Sequence, residues 1–248
     1  MKKILIALCM LPGMVMAGSS AHLDRAPIDL SDKESLKRGA TTFVEYCMGC
    51  HAADYVRYNS IGRDLGMTEA EVMAMISTRD SKGDYTKPGE LMKIAMTSDF
   101  TKTAFGTKVP GLSVIARARG ADWLYTYMRT FYVDESKPTG VNNIVFPSVG
   151  MPHVLWELQG MQKAKFATEV DADGHEKKVF EGMEQMTPGT LNKQDYDNYV
   201  VDLVNFLVYM GEPVQTERKQ MGIWVLLFLF VFTIVAYLLK KEYWKDVH

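Results

Sequence analysis

The chain has 248 residues, of which 47% are hydrophobic and 23% are charged, an ordinary balance for a globular protein. Its formal net charge of −2 and its lack of any basic run argue against a nucleic-acid partner. Three cysteines are too few for a disulfide framework, and the 17 methionines identify no ligand by their number alone.

Residues 1–17 have the pattern of a secretory signal peptide. Lys2 and Lys3 form a charged start, an apolar stretch follows, and Val15-Met16-Ala17 is a small-residue cleavage pattern. The apolar stretch is too short to span a membrane. Its removal also removes Cys9, so the sequence predicts a mature chain with two cysteines in an oxidising compartment outside the cytoplasm.

The next predicted element is a helix that leads into a cysteine motif. Ser31-Asp32-Lys33-Glu34 is a capping-box pattern and predicts the helix start. An apolar stripe then follows at helical spacing and consists of Leu36, Ala40, Phe43 and Cys47.

The sequence Cys47-Met48-Gly49-Cys50-His51 is a Cys-x-x-Cys-His box, the pattern of c-type haem attachment. On one helical turn, Cys47 and Cys50 share a face and can bond the two vinyl groups of a haem, while His51 can ligate the iron. The alternatives are a redox dithiol, which would need a βαβ unit around it, and half of a zinc site, which would need a second ligand pair. The export signal favours one covalently bound haem c.

Three further helices are predicted before residue 132. Thr68-Glu69-Ala70-Glu71 is a second capping box, with a buried face of Val72, Met73 and Ile76. Residues 112–119 look helical and Gly120 is placed to end that helix. Asp122 is expected to cap the next helix. Its apolar stripe is more typical of a core than of a cofactor wall, and consists of Trp123, Leu124, Tyr127, Met128 and Phe131.

Residues 138–152 are rich in Pro, Gly and Asn without helical period, which predicts a long loop of functional importance. Residues 165–170 and 177–180 flank Asp171-Ala172-Asp173-Gly174 and predict a β-hairpin. A calcium loop is the alternative for this tetrapeptide, although it lacks further acidic ligands at the required spacing. Asn192 is expected to cap the last helix before the C-terminal segment. The predicted core-facing side of that helix consists of Tyr196, Tyr199, Val200, Leu203, Leu207 and Met210.

Residues 221–239 carry no charge and would form a helix of about 29 Å, enough to cross a bilayer core. We therefore predict a transmembrane helix over residues 220–240 and an extracytoplasmic domain over residues 18–219. Residues 241–248 would form a cytoplasmic tail, because its lysines favour that side.

A haem held by one histidine needs its other axial position explained. Met151 lies in the predicted loop and is followed by Pro152, which stiffens the backbone beside the sulfur, so it is the favoured ligand. The haem carboxylates also need hydrogen-bond donors, and Arg117 and Arg119 are candidates, although a solvated helix face explains them equally well. The alternatives for the axial position stay open at this point and are His153, Met92, Met96 and Met186.

Taken together, the motifs resemble those of the cytochrome c1 family, the haem subunit of bacterial-type quinol–cytochrome c reductase. The resemblance covers nearly the whole chain and depends on the order of the segments rather than on the haem box alone. The segments are Cys47–His51, Pro110–Gly120, Asp122-Trp123, Asn142-Asn143, Phe146-Pro147, Met151-Pro152, Met186–Pro188, Gly211–Pro213 and Arg218-Lys219. Two departures are a short segment between Phe146 and Met151, and Trp123 where the family commonly has Tyr.

The resemblance implies a mainly α fold, a c-type cytochrome enlarged by insertions that include a small β-hairpin and anchored by one C-terminal transmembrane helix. It implies His51 and Met151 as axial ligands, Arg119 as the propionate partner and Trp123 as a pocket residue. It also implies an electron-transfer subunit rather than an enzyme on its own.

The implied partners are cytochrome b and Rieske iron–sulfur subunits and a c-type cytochrome acceptor. The haem domain would lie on the periplasmic side of the inner membrane. A free-standing membrane-anchored cytochrome that feeds a terminal oxidase is the main alternative, and a peroxidase-like haem protein and a dithiol assembly protein are lesser ones.

Overall fold

The computed structural model describes residues 22–79, 82–170 and 176–246. The predicted signal peptide and the predicted hairpin turn at residues 171–174, with its calcium-loop alternative, lie outside these residues. The helices are α1 Lys33–Thr42, α2 Tyr58–Leu65, α3 Glu69–Met75, α4 Ser98–Phe105, α5 Ile115–Arg119, α6 Ala121–Arg129, α7 Trp156–Gln159, α8 Lys193–Gly211 and α9 Gln215–Tyr243. The strands are β1 Ala53–Arg57, β2 Leu91–Met92, β3 Phe131–Val133, β4 Val141–Asn143, β5 Gln162–Val170 and β6 Glu176–Gln185.

The strands form small antiparallel pairs, β1 with β2, β3 with β4, and β5 with β6. In the longest pair, Gln162 lies opposite Gln185 and the ladder continues to the ends of both strands. This pair is the predicted hairpin, and both of its strands are longer than the sequence indicated. The fold is mainly helical with small strand pairs and one long apolar C-terminal helix, so the predicted fold class is confirmed.

Helix α8 lies at the centre of the core and packs against α1, α5, α6 and α7. Asn192 caps it as predicted, because its side chain accepts a hydrogen bond from the Asp195 backbone N–H. The predicted face is buried except for Tyr199, which is half-buried and meets Tyr46 edge to face. The crossing of α1 and α8 therefore supports the helix that leads into the cysteine box.

Helix α1 begins one residue later than the capping box predicted. Asp32, rather than Ser31, is the N-cap and accepts a hydrogen bond from the Ser35 backbone N–H at 3.0 Å. The predicted stripe from Leu36 to Cys47 is buried, and its last turn widens into a π-helical segment, Phe43–Cys47. Because the π-helical turn ends at Cys47, the rest of the cysteine box lies directly after the end of the helix.

Helix α6 begins differently from the prediction, because Gly120 rather than Asp122 is its N-cap. Gly120 has φ of 86°, a conformation that favours glycine, so the chain turns directly from α5 into α6. Asp122 falls inside the first turn, where its carboxylate accepts a hydrogen bond from the Ala26 backbone N–H at 2.8 Å. The aspartate thus fixes the N-terminal segment rather than the helix end.

Other predictions are corrected in detail. The capping box of α3 forms as predicted, but Met73 is 44% exposed and Met75 is buried in its place beside Val72. Helix α5 starts at Ile115, three residues later than expected. The predicted loop over residues 138–152 contains strand β4, which pairs with β3.

The C-terminal helix α9 contains the predicted span and extends beyond it at both ends. Within the described ranges it is the one helix long and apolar enough to cross a membrane, and its most apolar 18-residue stretch has a mean hydropathy of 2.6. Its apolar side chains are exposed rather than packed against the domain. An exposed apolar surface of this length needs a lipid or protein environment, which fits the predicted membrane anchor.

Gly39 provides a test of the α1–α8 crossing. A Cβ atom added there would lie 2.0 Å from the Asp202 carbonyl oxygen and 2.8 Å from the Phe206 Cβ. We expect Gly39→Ala to cost about 3 kcal/mol, which lowers the thermal unfolding midpoint by about 6 to 12 °C in a domain of this size. Gly222→Ala, another helical glycine but with open space around it, is the matched control. An unchanged midpoint for Gly39→Ala would contradict this packing.

Candidate functional site

A cavity of about 330 Å³ lies at the end of α1. This volume falls within the range of small-molecule and cofactor sites. The six residues that the cysteine box and the family resemblance indicated for a cofactor all line this cavity, namely Cys47, Cys50, His51, Arg119, Trp123 and Met151. Residues separated by up to about a hundred positions in the chain are therefore brought to one place.

His51 is fixed by a hydrogen bond between its Nδ1 and the carbonyl oxygen of Pro110 at 2.8 Å. A carbonyl oxygen only accepts, so Nδ1 carries the proton and Nε2 keeps its lone pair. Burial lowers the pKa of His51, while the Pro110 contact opposes that effect. A neutral imidazole whose second nitrogen bonds a backbone carbonyl is the usual state of a metal-ligating histidine.

The two cysteines of the box form no disulfide within the described part of the chain, and Cys47 is buried while Cys50 is half-buried. Burial, with a smaller contribution from Cys50, raises the pKa of Cys47 to about 12. Redox-active dithiols depend on a lowered thiol pKa, so this environment argues against the dithiol alternative. No group of three or more His, Cys, Asp or Glu side chains among the described residues is placed to hold a metal ion, which gives the zinc alternative no support.

Met151 lies half-buried in the loop that follows β4, where its sulfur lines the cavity and accepts a hydrogen bond from the Tyr127 hydroxyl at 3.3 Å. The alternative ligands do not line the cavity. His153 is buried and stacks on Phe131 at 5.0 Å, and Met186 is 55% exposed. Met92 is fully buried in β2, and Met96 also lies elsewhere. The structure thus favours Met151 among the five residues proposed.

Helix α6 forms one wall of the cavity through Trp123, Leu124, Tyr127 and Met128. The Trp123 and Tyr127 rings stack at 4.8 Å. Leu124, Tyr127 and Met128 are buried, so these residues of the predicted stripe belong to the core and also line the cavity. Met128 adds a second sulfur at this cavity that the sequence analysis did not single out as a ligand.

The two arginines have different environments. Arg119 lines the cavity, with its guanidinium carbon 5.0 Å from the Trp123 ring and 5.6 Å from the Phe146 ring. Arg117 does not line it and instead lies 3.8 Å from the Glu212 carboxylate. Of the two arginines, Arg119 is therefore the one placed to meet a group bound in the cavity.

Part of the lining was missed by the sequence analysis. The segment 105–109, at the end of α4 and after it, closes one side through Phe105, Thr107, Lys108 and Val109. Leu203 and Leu207 of α8 also reach the cavity, although they were assigned only to the core. No sequence motif identifies residues 105–109 as lining residues. The pattern that contains Leu203 and Leu207 is the same as that of any buried helix face.

The residues present fit a c-type haem. Two thiols and a neutral imidazole come from one turn, a thioether comes from another loop, and the remaining wall is mainly aromatic and aliphatic. Cys47 and Cys50 would hold the ring, His51 and Met151 would face the iron, and Arg119 would pair with a carboxylate at the ring edge.

The chain is similar over most or all of its length to several known proteins. The family model described as Cytochrome C1 family matches residues 24–247. The chain is 45% identical to cytochrome c1 of Allochromatium vinosum, over all of both chains. It is 47% identical to a Nitrosomonas europaea protein named ammonia monooxygenase gamma subunit, over all of this chain and 98% of that one. A chain of a solved hyperthermophilic respiratory Complex III aligns with a TM-score of 0.47 and 15% identity, over 100% of this chain and 98% of that one.

The chain belongs to the cytochrome c1 family. Membership implies a haem cofactor and a role in respiratory electron transport, with the apolar helix α9 as a membrane anchor.

The different environments of Arg119 and Arg117 allow a test of whether Arg119 pairs with a haem carboxylate. If Arg119 pairs with a haem carboxylate, Arg119→Gln removes a positive charge beside the haem, which disfavours the reduced form. We expect the midpoint potential to fall by about 40 mV, equivalent to roughly 1 kcal/mol for a one-electron couple. Arg117→Gln is the control and should leave the potential unchanged, because that side chain pairs with Glu212. Equal shifts in both variants in a redox titration would reject the assignment of Arg119.

Proposed function

We propose that this chain carries one haem c, bound covalently through Cys47 and Cys50, with His51 and Met151 as axial ligands. In this proposal it takes single electrons from a Rieske iron–sulfur protein and passes them to a c-type cytochrome within a quinol–cytochrome c reductase. The observation that carries the proposal is the single cavity shared by the Cys-x-x-Cys-His turn and the Met151 loop.

The bound haem supplies one-electron redox chemistry, and the chain supplies the environment that sets its potential. His51 offers a neutral nitrogen because Pro110 holds the proton on the other one. The Met151 thioether favours the reduced state and so raises the potential. The largely apolar lining keeps water from the ring, which also shifts the potential. None of these residues forms or breaks a bond to a substrate, which suits an electron carrier.

The membrane arrangement follows from the two ends of the chain. Residues 1–17 would direct export, residues 18–219 would form the periplasmic haem domain, and residues 220–240 would cross the inner membrane. Residues 241–248 would stay in the cytoplasm, because they carry basic residues next to the span. The exposed apolar surface of α9 would then face lipid and the membrane-embedded cytochrome b subunit.

The experiment that tests this proposal is purification through a tag on this chain in mild detergent, followed by an optical redox spectrum. We expect a b-type haem signal and an iron–sulfur protein to accompany the c-type band. We also expect the spectrum to be unaffected by carbon monoxide, because Met151 would occupy the sixth position.

The other outcomes separate the alternatives. A c-type band with neither partner would support a free-standing cytochrome that feeds an oxidase. A co-purifying monooxygenase would instead agree with the name of the Nitrosomonas europaea relative. Rapid binding of carbon monoxide would favour a peroxidase-like protein, and a chain without covalent haem would favour a dithiol protein.

A further inference from the structure

A tyrosine hydroxyl contacts the sulfur that the proposed function places on the haem iron. Tyr127 Oη lies 3.3 Å from Met151 Sδ, and Tyr127 is 8% exposed. Its ring is held from two sides, by stacking on Trp123 at 4.8 Å and by an edge contact with Phe131 at 5.0 Å. The hydroxyl therefore has a fixed position in the cavity wall.

The loop that carries Met151 is tied to the same turn of α6. Asn143 is 1% exposed, and its Nδ2 donates to the Tyr127 backbone carbonyl at 2.8 Å. Its Oδ1 accepts hydrogen bonds from the backbone N–H groups of Val145 at 3.0 Å and Phe146 at 3.3 Å. Asn143 thus connects the backbone of Tyr127 to the start of the loop. This connection holds the Tyr127 hydroxyl and the Met151 sulfur at a fixed distance from each other.

The chemistry of a thioether allows both contacts at once. A thioether sulfur has two lone pairs and is a weak hydrogen-bond acceptor. If one lone pair is directed at iron, the other can still accept the Tyr127 proton. Such a hydrogen bond draws electron density from the sulfur, so the ligand donates less to the metal. Groups that contact a ligand rather than the metal are known to orient the ligand and tune the metal in this way.

We propose that Tyr127 is a positioning residue that acts through Met151, holding the sulfur in place and raising the reduction potential, with Asn143 fixing the distance between α6 and the ligand loop. This inference rests on the proposed function, because it takes Met151 as the axial ligand. The inference also gives a role to Asn143, which the sequence analysis named only as part of the Asn142-Asn143 segment of the family resemblance.

The test is a redox titration of the detergent-purified full-length holoprotein with Tyr127→Phe, a change that removes one oxygen and keeps the packed ring. Without the hydroxyl, the sulfur donates more electron density and favours the oxidised form. We expect the one-electron equilibrium to shift about tenfold toward that form, which is about 59 mV lower in midpoint potential. Tyr132→Phe is the matched control, because Tyr132 is half-buried, packs on Phe166 and does not line the cavity.

A purely structural role for Tyr127 would change the unfolding temperature and leave the potential as in the Tyr132→Phe control, and that result would overturn the inference. Met151→Ala, examined with carbon monoxide, separates this failure from failure of the proposed function. If Met151→Ala binds carbon monoxide and Tyr127→Phe has an unchanged potential, only the tuning role is wrong. If Met151→Ala leaves the spectrum and the inertness to carbon monoxide unchanged, Met151 is not a ligand and both proposals fail.

Discussion

The hydrogen bond between His51 Nδ1 and the Pro110 carbonyl is the constraint on which the site depends. It selects the imidazole tautomer that leaves Nε2 available, and it joins the cysteine box to the segment that leads into α5. A second bond, from the Leu112 N–H to the Ala52 carbonyl at 2.8 Å, holds the same two segments together. Arg119 follows seven residues after Leu112, so the contact that orients His51 also determines where the arginine meets the cavity.

Another wall of the cavity depends on the short helix α6, which has three roles. Its buried side chains line the cavity, its Asp122 fixes the N-terminal segment, and the backbone carbonyl of Tyr127 accepts the hydrogen bond from Asn143. In the proposed function the Met151 sulfur must stay near the iron in both oxidation states, and loops are in general more mobile than the elements that they connect. Here the loop is fixed by Asn143 to a helix that is itself packed on α8.

The helices around the cysteine box could be predicted from the sequence because their signals are local. The Cys-x-x-Cys-His box, the stripe that leads into it and the caps at Thr68 and Asn192 each depend on a few neighbouring residues. The missed features depend on contacts between distant residues. The local sequence predicts Asp122 as an N-cap, but Gly120 occupies that position. The Asp122 carboxylate instead accepts a hydrogen bond from the distant backbone N–H of Ala26. The lining by residues 105–109 and the bond from Tyr127 to Met151 exist only once the chain has folded.

The most direct test of the account is the intact mass of the mature chain, purified from membranes and denatured before measurement. The account predicts a chain that begins after residue 17 and retains the added mass of one haem, which Cys47→Ser combined with Cys50→Ser abolishes. A mature chain without added mass, or a haem that the double variant keeps after denaturation, would contradict covalent attachment at these cysteines.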